Sequence, residues 1–303
     1  MMRRILCSFL SLVSISPAVS QAASLIGTEN IYFGHLHNHT SFSDGSDTPE
    51  QAYNTARGNG LDFFGLSDHS DLLTATEFET MRSAADNANV SGVFSAFWGF
   101  EWSHNSYGHI TVVNSGTFTT TSATSTFSGF MAWLDAYASI AFFNHPGRQD
   151  GSTSQPEFEH FTGAYSSKIV GMELWNKTSG FGTYYYNGGY TSDSEDRSGY
   201  YDEALLSGWS IGASGSEDHH GTTWGSGSYR LAVLSGSNTR ETILDALSRR
   251  RFYSTLDRNL ELSFQVDGSE MGSSVPGGWN RCVVKAADRD GESFSKVEII
   301  QNG

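Results

Sequence analysis

Three histidines alternate in one short stretch of the chain, and an aspartate follows the last of them by five residues. The histidines are His35, His37 and His39, and the aspartate is Asp44. The apolar run 30–33 just before them predicts a buried strand. Because alternate side chains of a strand share a face, we expect the three imidazoles to point the same way. Imidazoles presented together bind ions such as Zn, Mn or Fe, so the stretch predicts a metal site.

Helix and strand patterns alternate after this stretch. Thr48-Pro49-Glu50 supplies a capping residue, a proline and an acid, and so predicts a helix over 49–58. A strand-like run at 61–66 is followed by Asp68 and His69. Further strand-like runs span 92–100, 110–113, 139–143, 168–172 and 209–215, with helical patterns at 127–138 and 240–252. This rhythm is typical of a parallel barrel, whose reactive residues lie at the C-terminal ends of the strands.

Ligand-type residues recur beside the ends of these runs. Besides His69 they are Glu101, His109, His145, Glu173, Asp218 and His220. Random placement would not put histidines and carboxylates so regularly at strand ends. We therefore expect one shared site built from imidazole and carboxylate ligands without a thiolate, as in hydrolytic sites with several metals.

Residues 1–22 have the pattern of a secretory signal peptide. Arg3 and Arg4 are basic, an apolar run begins at Ile5, and Ser20-Gln21-Ala22 offers small residues for cleavage. We predict export to the periplasm or the exterior with cleavage near Ala22. The alternative is a membrane anchor, but the run is too short and too rich in serine to form a stable one.

Composition limits the partners of the protein. The chain has 303 residues, is 38% hydrophobic and carries a formal net charge of −15. This charge argues against a nucleic-acid groove or an anionic membrane surface as the main partner. A small anionic substrate stays compatible with it, because bound cations reverse the local field of their carboxylate ligands. Cys282 would be the only cysteine after cleavage, so no disulfide within the chain is expected.

The C-terminal part of the chain has a different pattern. From Leu260 the sequence is β-like, with runs at 260–266, 282–286 and 296–300, and it ends on the turn dipeptide Asn302-Gly303. We predict a barrel domain over 23–257 and a short, incomplete C-terminal β module over 258–303. The tyrosine-rich stretch 180–201 fits equally well a surface loop or a wall of the substrate site.

The ligand-type residues also carry a resemblance to a known family. Leu36-His37-Asn38-His39-Thr40, Ser43-Asp44-Gly45 and Ser67-Asp68-His69 resemble the motifs of the polymerase and histidinol phosphatase (PHP) family of metal-dependent hydrolases. The later motifs come in that family's order over residues 31–257, and they are Glu101, Gly108-His109, Asn144-His145-Pro146 and Asp218-x-His220. Glu101-Trp102 followed by Gly108-His109 is most similar to the branch that includes bacterial carbaryl hydrolases.

The resemblance implies a fold and a cofactor set. The fold is a distorted (β/α)7 TIM-like barrel of the PHP type, in the α/β class. The cofactors are two or three divalent metals, Zn, Mn or Fe. The implied ligand sets are His37, His39, Glu101 and Asp218 for the first metal, a bridging Glu101 with His109 and His145 for the second, and Asp44, His69 and His220 for the third.

Four further residues have implied or suggested supporting roles. The family usually has Asp at the position of His35, so His35 is either a ligand or, as we prefer, a residue that holds a ligand in place. Asp68 is expected to orient His69 by a hydrogen bond, and Glu173 to support a ligand or to bind a metal weakly. Arg148 fits a phosphate through its planar fork, with a salt bridge to an acid such as Asp150 as the alternative.

We therefore predict a secreted metal-dependent hydrolase, a phosphomonoesterase or phosphodiesterase acting on a small-molecule ester. A hydroxide that bridges two metals would attack phosphorus, with Glu101, His220 and Arg148 as the catalytic residues. A carboxylic or carbamic ester hydrolase with the same metals is the first alternative, and a non-catalytic metal-binding module is the second.

Overall fold

The computed structural model describes residues 24–27, 29–138, 140–146, 165–176, 200–278 and 281–299. Helices in these ranges are α1 (Pro49–Gly58), α2 (Ala75–Ala88), α3 (Phe127–Tyr137), α4 (Tyr200–Leu206) and α5 (Arg240–Ser248). Strands in the first half are β1 (Asn30–His35), β2 (Phe63–Gly65), β3 (Ser95–Phe97), β4 (Gly99–His104), β5 (Gly108–Val113) and β6 (Ile140–Phe143). The later strands are β7 (Ile169–Asn176), β8 (Gly212–Ser216), β9 (Arg230–Ser235), β10 (Phe252–Thr255), β11 (Glu261–Val266), β12 (Ser269–Glu270) and β13 (Cys282–Ala287).

Helix α1 begins where the sequence predicts it. The Thr48 side chain accepts a hydrogen bond from the backbone of Gln51, whose own side chain accepts one from the Thr48 backbone. This capping box satisfies backbone N–H groups that the first helical turn leaves without partners. Helix α3 also confirms the prediction for 127–138. Helix α5 is shorter than the predicted 240–252, because strand β10 already begins at Phe252.

The strands form three sheets. The first has the order β10-β9-β1-β2-β3, with β1, β2 and β3 parallel and β9 antiparallel to β1. The second has the order β4-β5-β6-β7-β8, and its β6, β7 and β8 are parallel. The third, β12-β11-β13, is antiparallel and lies within the predicted C-terminal β segment. The chain is thus a mixed α/β protein.

The predicted TIM-like barrel is not confirmed, because the two five-stranded sheets do not close into a barrel within the described residues. One reason lies in the run 92–100, which the sequence suggests is a single strand. The structure divides it at Trp98 into β3 and β4, which belong to different sheets. Gly99 makes this crossing possible, since a Cβ there would lie 1.8 Å from the carbonyl oxygen of Val112.

The two large sheets meet at one end through isolated bridges. His69 pairs with Glu101 there, and Asn38 pairs with His219. Behind these polar ends lies a core of fully buried aromatic side chains that includes Trp102, Phe100 and Phe143. The hydrophobic interior therefore fixes the positions of the strand ends that carry the polar residues.

The predicted strand at 296–300 is wrong for the residues described there. Residues 296–299 are not in a strand, and the side chains of Val297 and Ile299 are 61% and 53% exposed. Alternating apolar residues form a strand only when a neighbouring strand or core covers one face, and these two remain open to solvent. Among the helices that the structure describes, none combines the length and the hydropathy needed to cross a membrane.

Candidate metal centre

All nine predicted metal ligands lie together where the two large sheets meet. The donor atoms are imidazole nitrogens and carboxylate oxygens, which suit divalent ions such as Zn, Mn and Fe. Strand ends from both sheets supply them: His37, His39 and Asp44 follow β1, His69 follows β2, Glu101 lies in β4, His109 in β5, His145 follows β6, and Asp218 and His220 follow β8. The structure thus brings the nine predicted residues together in one cluster, and their role as metal ligands stays a prediction.

The donor atoms form four groups, in each of which all atoms lie within 4.8 Å of one another. The groups are His39 with Asp44, His69 and His220; His37 with Glu101 and His145; His37 with His39 and Asp218; and His69 with Glu101 and His109. The first and third of these groups each differ from an implied ligand set by one member. The other two groups divide the second implied set, because Glu101 is grouped with His37 and His145 in one and with His69 and His109 in the other.

Glu101 is the central carboxylate of the cluster, and its side chain is only 1% exposed. Its Oε1 lies 3.1 Å from His37 Nε2 and 3.2 Å from His109 Nδ1. The same oxygen is 3.4 Å from His145 Nε2, and Oε2 is 2.8 Å from His69 Nδ1. One buried carboxylate thus faces imidazoles on several sides, which is the arrangement that a metal-bridging carboxylate requires.

The orientation of His37 shows why the cluster suits a cation. Its Nδ1 lies 2.8 Å from Glu173 Oε1, and a carboxylate accepts, so Nδ1 carries the proton. The lone pair of Nε2 then points at Glu101 Oε1 and at His39 Nε2, which is 3.2 Å away. Electron pairs that face one another in a buried site repel unless a proton or a metal ion lies between them.

The pKa shifts of the buried groups also show that the cluster needs positive charge. Burial alone raises the pKa of the Glu101 carboxyl, but the facing imidazoles of His37 and His109 hold it well below its usual range. Burial lowers the pKa of His37, yet the carboxylates of Glu101 and Asp218 outweigh this and raise it well above normal. The carboxylates therefore remain ionised and bind positive charge strongly, as protons or as metal ions.

Solvent reaches the cluster from one side. The side chains of Asp44, His220 and His69 are 50%, 29% and 19% exposed. Those of His37 and Asp218 are each 2% exposed. A substrate can therefore approach the group that contains Asp44, His69 and His220, whereas the other groups lie deeper.

His35 does not join the cluster. Strand β1 ends at this residue, and its imidazole turns towards Glu217 Oε1, at 3.7 Å, and an Arg230 guanidinium nitrogen, at 3.5 Å. Its pKa is lowered to about 4 by burial, so it is neutral at physiological pH. The expectation that all three alternating histidines point the same way is thus wrong for His35, because the strand geometry stops there.

The residues around His35 form a network that we call the loop clamp, consisting of Glu217 and Arg230. The Glu217 carboxylate accepts hydrogen bonds from the backbone N–H groups of Gly225, at 2.7 Å, and Gly227, at 2.9 Å. Arg230, which is 3% exposed, donates to the carbonyls of Tyr229, Gly227 and Gly225 at 2.6, 2.9 and 3.2 Å. The clamp fixes the chain on both sides of the loop that begins with Asp218 and His220.

Two other expected supporting residues have clear partners. Glu173 Oε1 orients His37, while Oε2 accepts from the backbone N–H of His145 at 2.8 Å. Asp68 does not hydrogen-bond His69 as expected. Its carboxylate accepts from the Thr40 hydroxyl at 2.8 Å and the Ser43 hydroxyl at 2.6 Å, and so holds the turn that leads to Asp44. Arg148 and most of the tyrosine-rich stretch 180–201 lie outside the described residues.

Sequence reasoning gave no role to two residues that contact Glu101. Asn144 Nδ2 donates to Glu101 Oε1 at 2.6 Å and to the Thr111 hydroxyl at 3.0 Å. Ser103 Oγ lies 3.2 Å from Glu101 Oε2 and 2.6 Å from His69 Nδ1. Both fix the orientation of the central carboxylate. Ser103 could have been found from the strand pattern, since it lies two residues after Glu101 on the same face of β4.

Comparisons with known proteins agree with this geometry. Residues 35–137 match the family model of the PHP domain. The match covers roughly a third of the chain. It includes six of the candidate ligands, which are His37, His39, Asp44, His69, Glu101 and His109. No curated protein sequence matches the chain.

Solved structures resemble the chain at low sequence identity. A two-domain protein of Bacteroides vulgatus that contains a predicted PHP-like metal-dependent phosphoesterase is 18% identical with a TM-score of 0.54, over 76% of this chain and 66% of that one. PsfC of Pseudomonas syringae is 12% identical with a TM-score of 0.46, over 75% and 91% of the two chains. A candidate metal-dependent phosphoesterase of Bifidobacterium adolescentis is 14% identical with a TM-score of 0.37, over 63% and 88%. The first similarity shows a shared fold, and this chain spans just under two thirds of that protein's length.

Proposed function

We propose that this protein is a metal-dependent hydrolase that cleaves phosphoesters of small molecules. One observation carries the proposal: the buried carboxylate of Glu101 faces five imidazoles, within a cluster whose donor atoms fit several adjacent divalent ions. A structural metal usually has one small closed ligand set, so the size of this cluster disfavours a non-catalytic metal-binding module. The PHP domain match supports the same proposal.

Each residue of the candidate metal centre has a proposed role that follows from its position. Bound divalent ions lower the pKa of water and offset the charge on a phosphate. Glu101 holds the donor groups at a fixed spacing, and His37 is locked in its tautomer by Glu173. Asp44, His69 and His220 present the solvent-facing side to the substrate. In the proposed hydrolysis, a water oxygen bonds to phosphorus and the ester P–O bond breaks. The departing alcohol takes up one proton of that water.

Two parts of the proposal depend on residues outside the described ranges. We propose that Arg148 binds the phosphate, as its planar fork and its position after β6 suggest. We also propose that residues 1–22 direct export to the periplasm or the exterior. The carboxylic or carbamic ester reaction of the carbaryl-hydrolase-like branch remains the alternative, because the same donor atoms can activate water against a carbonyl carbon.

Glu101→Gln tests the proposed site. The change keeps the shape but removes a charge and replaces one ligand oxygen with a poorly coordinating amide. We expect loss of at least one metal ion per chain and a fall in p-nitrophenyl phosphate hydrolysis of about 100-fold or more. Metal content by mass spectrometry and turnover after loading with Mn or Zn measure both effects, and circular dichroism checks the fold.

Glu79→Gln is the matched control, because Glu79 is an exposed residue of α2 that pairs only with Arg82 at 3.5 Å. It should keep the full metal content and turnover. Full metal content and activity in Glu101→Gln would refute the role of Glu101. Hydrolysis of 1-naphthyl acetate or a 1-naphthyl carbamate, with no turnover of phosphate esters, would favour the alternative function.

A further inference from the structure

A cavity of about 590 Å³ lies beside the exposed side of the metal centre. We call it the side cavity, and its lining includes His69 and Ser103 at the inner end and Asp71, Asn105, Ser106 and Thr121 further out. This volume is within the range of ligand pockets, which is about 300–1,000 Å³. The side cavity is therefore large enough for a small organic group attached to a phosphate at the metals.

The inner end of the side cavity is continuous with the metal centre. His69 Nε2 lies 3.5 Å from Asp44 Oδ1, and its Nδ1 lies 2.8 Å from Glu101 Oε2. Ser103 Oγ contacts the same Glu101 oxygen. A phosphate placed at the solvent-facing group of Asp44, His69 and His220 therefore has the side cavity directly next to it.

The described residues that line the side cavity are polar except for Leu72; they include His104, and none of them is a Lys or an Arg. The Asp71 carboxylate accepts from the backbone N–H and the hydroxyl of Thr121, at 3.1 and 3.0 Å, and is held in place by them. Asn105 and Ser106, in the turn between β4 and β5, have exposed side chains that can donate and accept. Such walls offer no partner for a second phosphate, but they match adjacent hydroxyl groups.

We propose that the side cavity binds the leaving group of the substrate and selects an uncharged, hydroxyl-rich alcohol, such as a sugar or polyol. This inference rests on the proposed phosphoester hydrolysis. An amino alcohol that pairs with Asp71 is the competing outcome of the test, because the two Thr121 hydrogen bonds leave the carboxylate charged. A polyanionic leaving group would meet Asp71 without a compensating cation among the described lining residues.

Matched substrates test this selection on the metal-loaded full chain. Ribose 5-phosphate and n-pentyl phosphate have the same number of carbons and differ in hydroxyl groups, and 5-aminopentyl phosphate adds a positive charge. We expect kcat/KM for ribose 5-phosphate to exceed that for pentyl phosphate by about tenfold or more, since each hydrogen bond contributes a few-fold. Asp71→Asn and Asn105→Ala should each reduce this preference by about three- to tenfold.

Asp245→Asn is the matched control, since Asp245 is exposed on α5 and pairs with Arg249, outside the centre and the cavity. It should keep the preference unchanged. Equal preference in wild type and in the Asp71 and Asn105 variants, or a preference for pentyl or aminopentyl phosphate, would overturn the assignment of the side cavity. Turnover of p-nitrophenyl phosphate in the same preparations separates the two failures: if no phosphate ester is hydrolysed, the proposed function falls as well.

Discussion

Arg230 of the loop clamp provides the sharpest test of how the centre is held. Arg230→Met keeps the length and the apolar stem of the side chain but removes the guanidinium. Three carbonyl groups, those of Gly225, Gly227 and Tyr229, then lose a charged donor. Each buried acceptor that is left without a partner costs about 1–3 kcal/mol, so the three together cost about 3 kcal/mol or more. We expect the free energy of unfolding to fall by about that amount.

The variant should still fold, because domains of this kind are stable by about 5–15 kcal/mol. Its loop would be released next to Asp218 and His220, so we also expect metal affinity to fall by about 10- to 100-fold. Urea unfolding followed by tryptophan fluorescence, in a chelator, measures the stability without the metal contribution. Metal titration of the refolded variant measures the second effect.

Arg258→Met is the control, because Arg258 lies after β10 and contacts the same loop from outside it. Arg258 is exposed, and its guanidinium donates to the carbonyl of Ser226, so we expect a loss of about 1 kcal/mol or less. If Arg230→Met loses no more stability than Arg258→Met, the clamp does not hold the loop.

Two further predictions concern the rest of the chain. Asp62 accepts a hydrogen bond from the backbone N–H of Phe33, and burial raises its pKa to about 6. An acid whose pKa is raised in the folded state stabilises the fold at low pH, and this contribution is lost as the pH rises through 6. The free energy of unfolding of Asp62→Asn should therefore rise, relative to that of the wild type, by up to about 3 kcal/mol between pH 4 and pH 8. Urea unfolding at both pH values measures the gain, and an equal difference at both would contradict it. Export predicts that the protein recovered outside the cytoplasm begins near Ala23, which intact-mass measurement checks; a mature protein beginning at Met1 would show that the segment is retained.

Local signals in the sequence predict several elements and the grouping of the candidate ligands well. The histidine and carboxylate residues at strand ends meet as expected, because neighbouring strands place their ends at a common edge. Helix α1 also begins directly after Thr48, the N-cap residue that the sequence predicts. Helix α2 was missed, although Thr74 and Glu77 form a capping box that the sequence shows.

Tertiary effects explain what the sequence could not predict. His35 leaves the face of His37 because β1 stops there, and a strand end has no local marker. The crossing at Gly99 depends on the close approach of Val112 from a different strand. Strands β9 and β10 pair antiparallel with each other beside β1, and such pairing depends on the partner strands rather than on the segment itself.

The way the two large sheets meet has a consequence for the life of the protein. The candidate ligands come from both sheets, so metal ions bound where the sheets meet would link them. The link would be lost when the ions dissociate. Without the ions, only protons on the facing imidazoles would balance the carboxylates of Glu101, Glu173 and Asp218. Metal ions that bind only the folded protein increase its free energy of unfolding by mass action. Proteases cleave the unfolded chain, so this added stability slows degradation. Metal supply would then set how long the chain survives, and therefore its abundance, in addition to how fast each molecule works.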